Sequence, residues 1–168
     1  MSDKIISGNI DSFGYIFITT CIINNENGIR IDDIKTIIDT GAFSSFIQKD
    51  IVKQLQLKVY RENKYNNPIG GQITTKAYLS SLIFNTTQYN NFLINEFTTN
   101  DYPCGILIGM DFLKTCELTF SGTNKTFALV LPNKIIKVNL RDCSKDLQFF
   151  SQLEFLIVKA IQLLLFFV

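Results

Sequence analysis

Ile37-Ile38-Asp39-Thr40-Gly41-Ala42 is the stretch on which the reading of this chain turns. Two β-branched residues favour an extended, half-buried backbone, and the Thr-Gly pair that follows favours a tight turn. A carboxylate is thereby delivered to the end of an apolar strand. Charge against apolar surface is unfavourable unless it is hydrogen-bonded or shared, so a sequence that accepts this cost holds Asp39 in a defined place. That is the pattern of a catalytic acid.

Working outward, Phe13 to Ile23 and Ile29 to Ile38 are β-rich runs separated by Asn24-Asn25-Glu26-Asn27-Gly28, whose residues tolerate positive φ. They predict a hairpin whose second strand ends at Asp39. Beyond Ala42 the period changes: Ile51, Val52 and Leu55 recur at helical spacing within Gln48 to Leu57, which predicts a short amphipathic helix. A short strand is expected next, then a tip at Asn66-Asn67-Pro68-Ile69-Gly70-Gly71, then a long strand over Gln72 to Phe84. Phe92 to Phe97 reads as a further strand. An apolar run, Gly105-Ile106-Leu107-Ile108, again ends at a glycine, Gly109, and Leu118 to Phe120 with Phe127 to Leu131 flank a hairpin turn at 121–125.

Composition narrows the chemistry. Of the 168 residues 46% are hydrophobic, enough for one domain with a sizeable core. Sixteen Lys and Arg nearly balance fifteen Asp and Glu, and a net charge of +1 argues against a nucleic-acid partner, which needs a basic face. There is no histidine, which removes Ser-His-Asp and Cys-His schemes and the commonest zinc ligand sets. No metal and no cofactor is expected. Cys21, Cys104, Cys116 and Cys143 lack Cys-x-x-Cys spacing and read as reduced, mostly buried structural thiols. Met1-Ser2-Asp3-Lys4 opens no signal-peptide pattern, which favours a cytoplasmic location. Asn85-Thr86-Thr87 and Asn124-Lys125-Thr126 are then turn chemistry rather than glycosylation sites.

Three elements in order resemble the retropepsin-like aspartic proteases, the single-domain half-size relatives of pepsin. Ile38-Asp39-Thr40-Gly41-Ala42 looks like the catalytic turn, Pro68-Ile69-Gly70-Gly71 like the flap tip, and Leu107-Ile108-Gly109-Met110-Asp111-Phe112-Leu113 like the hydrophobic-hydrophobic-Gly segment behind the active loop. The resemblance covers roughly Phe13 to Leu131. It implies a mostly β fold, a closed antiparallel barrel with one short helix, over residues 1–132. It also implies a polypeptide substrate and a homodimer, because one chain supplies one Asp-Thr-Gly and the chemistry needs two carboxylates. In that reading Asp39, Thr40 and Gly41 are catalytic, and Ala42, Ile69, Gly70, Gly71 and Ile73 contact substrate, with Ile106 as a further pocket residue by position. Leu107, Ile108 and Gly109 support the loop. A catalytically silent dimerisation or peptide-binding module is the alternative.

Other acids have plainer readings. Asp111 is expected to cap the turn at Phe112. Asp32 and Asp33 read as solvated and Asp101 as turn chemistry. Residues 133–168 form a polar connector and an apolar end, and the last segment, 147–168, reads three ways: a packed or partner-binding helix, a membrane-contacting tail anchor, or a degenerate extension.

Overall fold

The computed structural model describes residues 5–66, 72–97 and 102–132; the flap-tip motif at 68–71, Asp101, Cys143 and the apolar end at 147–168 lie outside the described residues. Ten strands and two short helices follow one another along this span. The strands are β1 (Ile5–Asn9), β2 (Ile16–Ile23), β3 (Arg30–Ile38), β4 (Phe46–Ile47), β5 (Val59–Asn66), β6 (Gln72–Phe84), β7 (Thr87–Glu96), β8 (Ile106–Ile108), β9 (Glu117–Ser121) and β10 (Thr126–Val130). The helices are α1 (Lys49–Leu55) and α2 (Met110–Leu113).

Six strands close into a barrel. Their order is β2-β3-β8-β4-β7-β6, and β6 returns to pair with β2; β5 adds to β6 outside that ring. The predicted closure is therefore present, and the hairpins β2–β3 and β6–β7 are antiparallel. Two ladders, β3–β8 and β4–β7, are parallel. β1, β10 and β9 form a separate antiparallel sheet.

Local chemistry explains the joints. Asp11 Oδ1 accepts the N–H groups of Phe13 and Tyr15, so the residues before Ile16 are a turn rather than the start of the strand. Between Thr20 and Ile22 the register of β2 against β3 slips by a bulge, and Asp33 there adopts φ 56°. Asn85, at φ 51°, makes the tight β6–β7 turn that the sequence predicts. Helix α1 ends at Gln56, which takes the left-handed conformation (φ 56°) and returns its N–H to the Lys53 and Val52 carbonyls.

The main core mixes aliphatic and aromatic side chains in one cluster. Ile22, Ile47, Leu82, Ile94, Ile106, Ile108 and Leu129 are fully buried. The Phe112 ring stacks on Phe84 at 5.1 Å and meets Tyr89 edge-on at 5.0 Å. The α2 turn is thus pinned to the barrel through Phe112. The buried hydroxyls of Thr20 and Thr36 share one hydrogen bond at 2.7 Å, and that of Thr36 also reaches the Ile34 carbonyl at 3.1 Å, which offsets the cost of placing them between strands. Among the described residues no helix is long and apolar enough to cross a membrane.

Candidate active site

The Asp39 loop is held from both ends. β3 brings Thr36, Ile37 and Ile38 opposite Ile106, Leu107 and Ile108, and the ladder runs one step further, with the Asp39 N–H donating to the Ile108 carbonyl at 2.9 Å. Within the turn the Gly41 N–H donates to Asp39 Oδ1 at 2.8 Å. The Ala42 N–H reaches the Asp39 carbonyl at 3.3 Å. This Asx-type turn uses one carboxylate oxygen to fix the direction of the side chain. Asp39 is partly covered, while Thr40 and Gly41 are exposed. The desolvation anticipated for Asp39 is only partly supplied by the described residues of one chain.

The next four residues are of the opposite kind. The Ala42 carbonyl accepts from the Met110 N–H at 2.8 Å, and the Phe43 carbonyl from the Asp111 N–H at 3.0 Å. Ser45 Oγ accepts from the Gly109 N–H at 3.1 Å. A β-carbon at Gly109 would lie 2.7 Å from the Ala42 oxygen and closer still to that of Ser44, so only glycine lets the two backbones approach. Leu107, Ile108 and Gly109 are the segment against which the loop rests.

Asp111 does more than the cap that its position suggests. Gly109 occupies the N-cap position without a side-chain cap bond, and Asp111 lies in the first turn of α2. Its carboxylate reaches across to the loop: Oδ1 accepts the Ser45 hydroxyl at 2.7 Å and Oδ2 the Ser45 N–H at 2.9 Å. The Phe112 N–H also donates to Oδ1, at 2.9 Å. Burial pushes this carboxyl above the ordinary aspartate range, while the bonds from Ser45 and Phe112 and the Lys114 charge pull it back. The cap reading holds only for the bond from Phe112: Gly109 takes the N-cap position, and the N–H and hydroxyl of Ser45, 66 residues away in sequence, occupy the carboxylate as well.

A second apolar cluster lies on the other face of the β3–β8 pair. Strand alternation turns Ile37 and Leu107 away from Ile38, Ile106 and Ile108. Ile37, Phe97, Cys104 and Leu107 are buried there, with Phe17, Ala42 and Phe46 packed against them. Phe46 stacks on Phe97 at 5.5 Å, and Phe97 on Tyr102 at 4.3 Å. Ile106 is instead fully buried in the main core, so it lines no pocket; a one-residue step along the strand decides the difference. Ile73 is 37% exposed near the start of β6 and belongs to neither cluster. Phe46 and Phe97 were not singled out from sequence, because nothing local ties either to Ala42.

Among the described residues thiol chemistry finds no support. Cys21, Cys104 and Cys116 are unpaired, and burial is the main cause that pushes each up to about 11, so all three are protonated at neutral pH. Among the described residues, no group of three or more Cys, Asp or Glu side chains converges as metal ligands would.

A closed β barrel that presents Asp-Thr-Gly on a loop braced by a hydrophobic-hydrophobic-Gly strand has the architecture of a retropepsin-like aspartic protease. The profile of the retroviral aspartyl protease family matches residues 15–134, and the chain belongs to that family. Among solved structures it is similar to a retropepsin-like aspartic protease from Rickettsia conorii, with 16% identity and a TM-score of 0.54 over 76% of this chain and 91% of that one. At that identity the likeness concerns the fold. No curated protein matches the chain.

Proposed function

We propose that this chain is an aspartic endopeptidase whose active form is a homodimer, with Asp39 of each copy facing the other across a two-fold axis. The observation that carries this reading is the partly covered Asp39 on a loop whose Thr40 and Gly41 are exposed and whose following residues are firmly braced. A single carboxylate there is half of a catalytic pair.

Two carboxylates about 3 Å apart cannot both ionise cheaply, so they share one proton and titrate as a pair. The ionised member takes a proton from a water that attacks the peptide carbonyl. The protonated member gives its proton to the carbonyl oxygen, and a tetrahedral diol forms without a covalent intermediate. Thr40 bonds across the dimer, Gly41 permits close approach of the two loops, and Ala42 keeps the floor of the site small. Leu107, Ile108 and Gly109 hold the loop from behind.

Ile69, Gly70 and Gly71 cover an extended polypeptide that pairs by strand addition, and Ile73 meets its side chains. In this reading the protease domain is 1–132.

The test is a mixed peptide library at mildly acid and neutral pH, with and without a pepstatin-type inhibitor, beside Asp39→Asn. Inhibitor-sensitive cleavage that falls by at least about 100-fold in the variant supports the reading. Retained turnover in Asp39→Asn contradicts the mechanism; no cleavage by a demonstrably dimeric wild type leaves a peptide-binding module.

A further inference from the structure

A chain of buried and half-buried polar groups runs from the Asp39 loop through β7 to β5. Ser45 is fully buried, and Asn95, on β7, is 2% exposed. The Ser45 carbonyl accepts from both the backbone N–H of Asn95 at 3.0 Å and its side-chain Nδ2 at 3.2 Å. Asn95 Oδ1 in turn accepts from Asn63 Nδ2, on β5, at 2.7 Å. On its other side Ser45 gives both its N–H and its hydroxyl proton to Asp111. All the polar groups of Ser45 are therefore engaged, with the Gly109 N–H on the remaining hydroxyl lone pair. Buried networks of this kind are stable only when every member is satisfied, so loss of one end is felt at the other.

We infer that Asp111 is the positioning residue of the Asp39 loop and that Asn95 and Asn63 extend the same anchorage to β5. This rests on the protease reading above, and concerns residues that touch neither substrate nor the attacking water. A carboxylate suits the place because Ser45 presents two donors side by side. An amide has one acceptor oxygen, so Asp111→Asn keeps either the bond from the Ser45 N–H or those from the Ser45 hydroxyl and the Phe112 N–H, and loses the other side. Alanine offers no acceptor, and the Ser45 N–H is then buried without a partner.

The experiment compares wild type, Asp111→Asn, Asp111→Ala and Asn63→Ala by two readouts: kcat and KM on a peptide that the wild type cleaves, and amide exchange at Ser45 and Gly109 against Phe127 in β10. For Asp111→Ala, Ser45 exchange rises about tenfold or more with Phe127 unchanged. Its kcat falls about 100-fold with KM nearly constant, as expected when catalytic groups are misplaced without loss of substrate contact. Asp111→Asn recovers part of both. Asn63→Ala, at the half-exposed end, has a smaller effect of the same kind, and combined with Asp111→Asn it gives less than the product of the two.

Unchanged Ser45 exchange in Asp111→Ala overturns the proposal, as does a rise in KM at constant kcat or equal acceleration at Phe127. If Asp111→Ala does not fold, multiplicative effects of Asn63→Ala and Asp111→Asn overturn it equally. If the wild type cleaves no peptide, the protease reading fails, and the exchange measurements decide the anchorage by themselves.

Discussion

Residues 39–41 and 42–45 belong to one loop and obey opposite rules. The first three carry a charge and a hydroxyl, and two of them, Thr40 and Gly41, are exposed. The following residues have backbone groups tied to Met110, Asp111 and Asn95 and the Ser45 hydroxyl tied to Gly109, and Ser44 and Ser45 are buried. The difference teaches how a carboxylate is offered without being loose: precision comes from the braced half, and openness from the half that bears the proposed catalytic group. It also explains why the glycine of the open half and the glycine against which the braced half packs are there for different reasons. At Gly41 a β-carbon meets only Asp39 Oδ1, at 3.2 Å, whereas at Gly109 it collides with two backbone carbonyls.

That contrast can be broken by matched substitutions. Gly109→Ala forces the backbones of the loop and of α2 apart, and about 3 kcal/mol or more of stability is lost in urea unfolding. Gly41→Ala costs less than about 1 kcal/mol, although it stands beside the proposed catalytic group. Equal losses at the two positions would dissolve the distinction.

A finer probe uses pH. Because burial raises the Asp111 carboxyl, the folded chain holds that proton more tightly than the unfolded chain. The resulting stabilisation is fully present below the ordinary aspartate range and is lost as pH rises through the raised folded value. Lys114 is the charge that acts on it, and it favours the ionised form. In urea titrations across this window, wild type loses more stability than Asp111→Asn, whose amide does not titrate. Parallel profiles for the two proteins would mean that Asp111 is not perturbed in the fold.

Much of this organisation was legible in the sequence, and the exceptions share a cause. The runs ending at Ile23, Ile38 and Phe84 and the helix around Val52 follow from local periodicity and turn residues, which one chain segment carries by itself. β1 was not foreseen: Ile5–Asn9 contains Ser7, Gly8 and Asn9, weak strand formers that become a strand only by pairing with β10. The first half of β7, with Gln88, Asn90 and Asn91, is likewise set by its partner β6. In the site, the motif exposed Asp39 but not its supports. Ser45, Asn95 and Asn63 are ordinary polar residues whose significance comes from long-range contact, and at Asp111 the local bond to Phe112 is visible in the sequence but the two bonds from distant Ser45 are not.

The claim that the open half of the loop is completed by a second copy of the chain is tested most directly by the rate law. Initial rates of peptide cleavage should be measured across protein concentrations that span the dimerisation midpoint, itself set by sedimentation on the same samples. The account predicts that the rate rises with the square of protein concentration well below the midpoint and becomes linear above it. A rate strictly proportional to concentration throughout, in samples shown to be monomeric at the low end, would contradict it.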